Sequence, residues 1–203
     1  MTPAPVPSRR RALAAFGALL AAGLLQRGGC ALAASADAQE PSVELESDGV
    51  YASCTVVFAL PRALEDALRR GIPLSFLTRL RVEQGRWWWF NETIGSGQVR
   101  TRLSYQPLLD KFHVLGDGRQ HSYASLDEAL NAVQHVTHLK VADARNLEPG
   151  HRYELVGTFE LDLSQLPRPF QLDVGASADW QLQADFPRTT FTWKPPRPTA
   201  SPA

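Results

Sequence analysis

The chain is poor in cysteine, with only Cys30 and Cys54 among 203 residues, and it has a single methionine. So few cysteines exclude a disulfide-stapled scaffold and a cysteine-built zinc fold. Formal charge is zero, from 21 basic and 21 acidic residues. Without a basic excess there is no electrostatic footprint for nucleic acid. No stretch reaches the ~20 apolar residues of a bilayer-crossing helix. Catalytic signatures are missing too: the sequence holds no G-x-S-x-G, H-E-x-x-H, Walker loop or C-x-x-C.

What is present begins with a leader. Arg9, Arg10 and Arg11 precede an apolar run from Ala12 to Leu25, and small residues follow at Ala31, Ala33, Ala34 and Ala36. This order predicts a secretory signal peptide over residues 1–33, cut after Ala33 or Ala36. Arg27 stands three residues before Cys30, where a lipidation signal wants an apolar residue, so no lipid is expected on Cys30. Removing residues 1–33 takes away Arg9, Arg10, Arg11 and Arg27 and no acid, which leaves 17 basic against 21 acidic residues, net −4. The expected location is periplasmic, with no membrane span in the mature chain. In that oxidising compartment Cys54 stands alone and cannot form an intrachain disulfide. It shares parity with Val50, Ala52, Val56 and Phe58, which predicts a buried thiol packing as a small hydrophobe.

The body of the chain alternates. Ile72, Leu74, Phe76, Leu80 and Val82 share one parity; Ser75, Arg79, Arg81 and Glu83 share the other. A period of two predicts a half-buried strand. The run Arg86 to Thr93, with Trp87, Trp88, Trp89 and Phe90, reads as a second strand. Gly95-Ser96-Gly97 reads as a turn before a third strand, Gln98 to Tyr105, with Arg100 and Arg102 facing away from Val99 and Leu103. Strands are also predicted over Val50 to Phe58, Lys111 to Leu115, Gln120 to Ala124, Arg152 to Leu163, Phe170 to Val174, Trp180 to Ala184 and Thr189 to Trp193. Gly116-Asp117-Gly118 is a hairpin turn. A short helix starts near Pro61 and stops at Gly71. Ser125-Leu126-Asp127-Glu128 is a capping box opening a longer helix, Leu126 to Leu139. The fold class expected is all-β: one antiparallel β-sandwich over 43–193, immunoglobulin-like in the broad sense, with two helices at connections. The Pro-rich tail 194–203 is expected to be disordered.

The residues Leu60-Pro61, Leu64-Glu65-Asp66-Ala67-Leu68, Gly71-Ile72-Pro73-Leu74, Arg86-Trp87-Trp88-Trp89-Phe90 and Arg102-Leu103-Ser104-Tyr105 carry a family resemblance. So do Ser125 to Leu130, Ser164 to Gln171, Asp179-Trp180 and Phe191-Thr192-Trp193. The pattern resembles the proteobacterial exported proteins of domain of unknown function family 4390, sometimes labelled proline-rich signal peptide protein. The resemblance brings no catalytic residues. Its genes often lie beside a nitrogen-regulation-type sensor kinase pair, which implies an envelope or signalling context.

Candidate chemistry is thin. His135 and His138 fall three apart on the polar face of the expected helix, a spacing a metal site can use, but solvated helix-surface histidines are far commoner. No metal, cofactor or catalytic residue is therefore assigned. The outward arginines Arg79, Arg81, Arg100 and Arg102, with whichever of Trp87, Trp88 and Trp89 faces out, make the best candidate contact surface. It would suit an acidic envelope protein or another anionic envelope component. Three function classes stay open: a non-enzymatic periplasmic interaction module, which the resemblance links to a membrane sensor kinase; a carbohydrate- or envelope-polymer-binding domain using the tryptophans; and an enzyme of unrecognised type.

Overall fold

Antiparallel strands in two sheets make the protein, and the computed structural model describes residues 36–85, 91–166 and 180–195. The predicted signal peptide, the run 86–90, the predicted strand Phe170 to Val174 and the tail from 196 lie outside the described residues.

The smaller sheet centres on β3 (Gly49–Val57). One edge of β3 pairs with β1 (Asp37–Ala38) and then β2 (Ser42–Glu46); its other edge pairs with β8 (His135–Asp143). The larger sheet runs β9 (Arg152–Leu161), β4 (Leu74–Gln84), β5 (Glu92–Gln106), β6 (Lys111–Gly116) and β7 (Arg119–Tyr123). Its far edge is closed by β10 (Gln183–Asp185) and β11 (Thr189–Thr192), both on β9.

Alternation sets the core, as the sequence predicts. Val50, Ala52, Cys54 and Val56 of β3 meet Leu74, Phe76, Leu80 and Val82 of β4 and Tyr153, Leu155, Phe159 and Leu161 of β9 in one buried cluster. Phe58, Phe76 and Phe159 pack ring to ring, with centroids 5.3 to 5.8 Å apart. Trp193 is fully buried. The hydroxyl of buried Tyr153 accepts from the Glu148 N–H five residues earlier, the kind of corner that immunoglobulin-like sandwiches use. Cys54 is 5% exposed, and burial pushes its thiol up to about 12, so it stays protonated and inert.

Local signals hold where they are complete. Helix α1 (Arg62–Arg69) buries Leu64, Ala67 and Leu68. It ends in a Schellman motif, with Gly71 at φ +86, Gly71 N bonded to Leu68 O at 2.9 Å and Ile72 N to Ala67 O at 3.0 Å. The β6–β7 hairpin turns on Asp117 and Gly118, whose φ of +48 and +72 suit a primed two-residue turn.

Three expectations need correction. First, Gly95-Ser96-Gly97 is no turn. It lies inside β5, which spans the whole of β4, from Leu74 with Leu103 to Gln84 with Glu92. Both edges of β4 are taken, one by β5 and the other by β9. The glycines serve another purpose. A Cβ on Gly97 would fall 2.4 Å from Lys140 O, and one on Gly95 2.5 Å from Val141 O. They let β8 press its backbone onto β5.

Second, helix α2 is Leu126–Gln134 and stops short of the expected Leu139. Its start is as predicted: Ser125 Oγ accepts from Glu128 N at 3.2 Å. At His135 the chain turns straight into β8, rich in β-branched Val136, Thr137 and Val141, where His135, Val136, Leu139, Lys140, Ala142 and Asp143 pair along β3 instead of continuing a helix. Third, β9 ends at Leu161 and a 3-10 turn occupies Leu163–Gln165.

Candidate functional site

The outer face of the larger sheet is built by the parity opposite to the core. On β4 it carries Ser75, Leu77, Arg79, Arg81 and Glu83; on β5, Gln98, Arg100 and Arg102; on β9, Glu154, Val156, Thr158 and Glu160. All four predicted arginines share this face. They do not face one another across the ladder: Arg79 opposes Gln98, Arg81 opposes Ser96, Arg100 opposes Leu77 and Arg102 opposes Ser75.

Acids are interspersed, so the face is not the unneutralised basic cluster that parity alone suggested. Arg79 Nη1 meets Glu160 Oε1 at 2.6 Å, Arg100 Nη2 meets Asp162 Oδ2 at 3.2 Å, and Arg81 Nε lies 3.8 Å from Glu83 Oε1. Asp162 is held in place: its N–H donates to Ser75 O, and its Oδ1 accepts from both the N–H and the hydroxyl of Ser164. Among the described residues Arg102 has no acidic partner.

Two grooves cross this face. One of about 460 Å³ runs from Arg79 and Arg81 over Thr158 and Glu160 to Gln183 and Asp185. The other, of about 520 Å³, lies between Arg100, Arg102, Ser75, Gln165, Leu115 and the Gly116–Gly118 turn. It presents two guanidiniums, Arg102 having no acidic partner among the described residues, and guanidiniums are the groups that pair with carboxylates and other anions. Trp87, Trp88 and Trp89, the aromatic part of the predicted surface, lie outside the described residues. Trp193 belongs to the core and Trp180 packs against it.

The histidines sit elsewhere than expected. His135 and His138 are on β8, not on a helix. His135 Nδ1 lies 2.7 Å from Asn131 O. His138 turns onto the outer face of the smaller sheet, where its Nε2 is 2.7 Å from Glu46 Oε1. Glu44 and Glu46, which belong to that group, come from β2. The sequence signal for this strand is the short period-two run Ser42-Val43-Glu44-Leu45-Glu46. On β6 and β7, His113 Nδ1 lies 2.9 Å from Ser122 Oγ and its Nε2 3.0 Å from Gln106 Oε1. A neutral amide in the orienting position offers no charge to stabilise an imidazolium, so this trio is a polar surface network and not an activated serine.

A family model described as Domain of unknown function (DUF4390) matches residues 33–190. Among proteins of curated function and among solved structures, nothing matches the chain significantly.

Proposed function

The chain belongs to the DUF4390 family, and on that premise we propose that it is an exported, non-enzymatic periplasmic interaction module whose arginine-bearing sheet face docks an acidic segment of an envelope protein. The observation that carries the reading is Arg102, exposed and without an acid among the described residues, beside Arg100 in a groove of about 520 Å³. The guanidiniums of the three neighbouring arginine–carboxylate pairs are about half-exposed; Glu160 is exposed as well, so its pair exchanges for a partner's carboxylate at least cost, whereas Glu83 and Asp162 are largely covered. The basic leader and the small residues up to Ala36 support export. The genomic setting that the resemblance implies makes a membrane sensor kinase the first partner to try.

The test replaces Arg79, Arg81, Arg100 and Arg102 together by Gln. The thermal midpoint should move by no more than about 2–4 °C, because these side chains are solvated. Crosslinking to the acidic partner in the native envelope should disappear, and with the unaltered protein it should fade as salt rises. Capture that survives the four replacements sinks the docking face. N-terminal sequencing should find Ala34 or Asp37 first; a chain that still begins at Met1 sinks export.

A further inference from the structure

We propose that Glu44, Glu46 and His138 form a binding site for a divalent cation of the zinc class, on the face opposite to the arginine surface's sheet. One ligand atom from each of the three lies within 4.8 Å of the others. Glu44 and Glu46 are two apart on β2 and project to the same side. The nitrogen arrives from β8, on the far edge of β3. Tyr51 of β3 lies between and supports it: the imidazole stacks on the phenol ring, centroids 4.2 Å apart at 19°.

The backbone is bent to make this meeting possible. Between Ala52 and Cys54, β8 carries an extra residue, since Leu139 pairs with Ala52 but Val136 pairs with Cys54. The bulge keeps Val136 and Leu139 both paired with inward-facing residues and turns His138 outward, at φ +54. His138 N–H is not stranded; it donates to Ser53 Oγ at 3.0 Å. A bulge that re-aims one side chain is a feature commonly placed beside sites. Here it delivers the one histidine to two carboxylates.

The donor set selects the ion. One imidazole and two carboxylates supply three ligands and a charge of minus two, and leave a fourth tetrahedral position to water. Calcium and magnesium want six or more oxygens and gain little from an imidazole. The nearby acids Asp48 and Asp143 are taken by Lys140, at 2.7 and 3.0 Å. They therefore enlarge the negative field without competing as ligands. The cation displaces the proton that Nε2 shares with Glu46, so affinity must fall with pH. The charged groups facing His138 are Glu44, Glu46, Asp48 and Lys140, with Tyr51 beneath it.

Calorimetric titration of the purified, untagged full chain with zinc chloride tests this. Near neutral pH one saturable site per chain is expected, weakening as pH falls by at most about tenfold per unit, the limit for displacement of one proton. Glu44→Gln is the informative variant, because it leaves the His138–Glu46 hydrogen bond in place. It should weaken zinc at least about tenfold, and His138→Asn, which tolerates a positive φ, should remove the site. His113→Gln and His121→Gln should leave it unchanged, and magnesium should not bind. Absence of a saturable site up to about 0.1 mM zinc overturns the proposal, as does a site that survives Glu44→Gln and His138→Asn.

Discussion

Both sheets carry charge on their outer faces, but they organise it differently. On the larger face each of Arg79, Arg81 and Arg100 reaches one carboxylate, through a long side chain about half-exposed. On the smaller face the groups interlock. Lys140 holds Asp48 and Asp143 together, Tyr51 donates to Asp48 at 2.8 Å and carries the His138 ring, and His138 meets Glu46. Protonation equilibria follow that network. The Lys140 hydrogen bond holds both Asp48 and Asp143 below the usual carboxylate range, and Asp48 in turn raises Lys140. Glu46 raises His138. The larger face has a single register shift, between Val82 and Glu83 at one end of the β4–β5 ladder, whereas two bulges in β8 underlie the second arrangement. The same residue types thus make either an exchangeable surface or an ordered cluster, depending on the backbone beneath them.

The strongest way to break this contrast is to disturb what fixes β8. Gly97→Ala should destabilise the protein by roughly 1–3 kcal/mol or more, since the new Cβ lands 2.4 Å from the backbone oxygen of Lys140. That oxygen belongs to the strand bearing His138, Lys140 and Asp143, so His138 and Lys140 should lose their fixed environment together. Gly116→Ala is the control: its Cβ meets only the Thr101 side chain, at 3.6 Å, and the change should stay within about 0.5 kcal/mol. Urea unfolding reads both. Equal, small losses would mean that β8 does not need the glycines.

These glycines also show where the sequence stopped being legible. Parity placed the core rows of β3, β4, β5 and β9, because a half-buried strand writes its two faces directly into the chain. The Ser125 cap and the Gly71 stop were readable because each motif is local. A glycine pair, by contrast, reads alike whether it turns the chain or makes room for another strand, and the difference lies in residues 140–142, far along the sequence. The end of α2 was hidden for a related reason. Val133 and Val136 continue a helical stripe, no glycine or proline marks a stop, and only the open edge of β3 converts the continuation into a strand. For the arginines, the sequence disclosed the shared face but not the partners. Glu160 and Asp162 arrive from β9 and the turn after it, a neighbour that parity cannot name.

A pH titration sharpens the comparison at intermediate scale. His138 should titrate above its ordinary value near 6.5, with Glu46 as the main cause. Its folded value is raised, so its contribution to stability is fully present below the unfolded value and is lost as pH rises through the folded one. Asp48 and Asp143 run the other way. Their folded values are lowered, so their contribution is present above the unfolded value of 3.8 and disappears as pH falls through the folded ones. Imidazole NMR in a chelating buffer reads His138 without interference from metal. Glu46→Gln should move its midpoint down, and an unmoved midpoint would mean that the carboxylate does not hold the ring.

The smallest effect belongs to the larger face. Arg79 and Glu160 are 2.6 Å apart, yet their side chains are 47% and 38% exposed. Water and salt screen such a pair, and holding two long side chains in one geometry costs entropy. A double-mutant cycle with Arg79→Gln and Glu160→Gln should give a coupling below about 1 kcal/mol, shrinking further in molar salt. A coupling of about 2 kcal/mol or more would mean that this face is as preorganised as the bulged one, and the contrast between the sheets would fail. The docking proposal would fail with it. An incoming acidic segment has to take the guanidiniums from Glu160 and Asp162, and it can do so only if those pairs are held weakly enough to open.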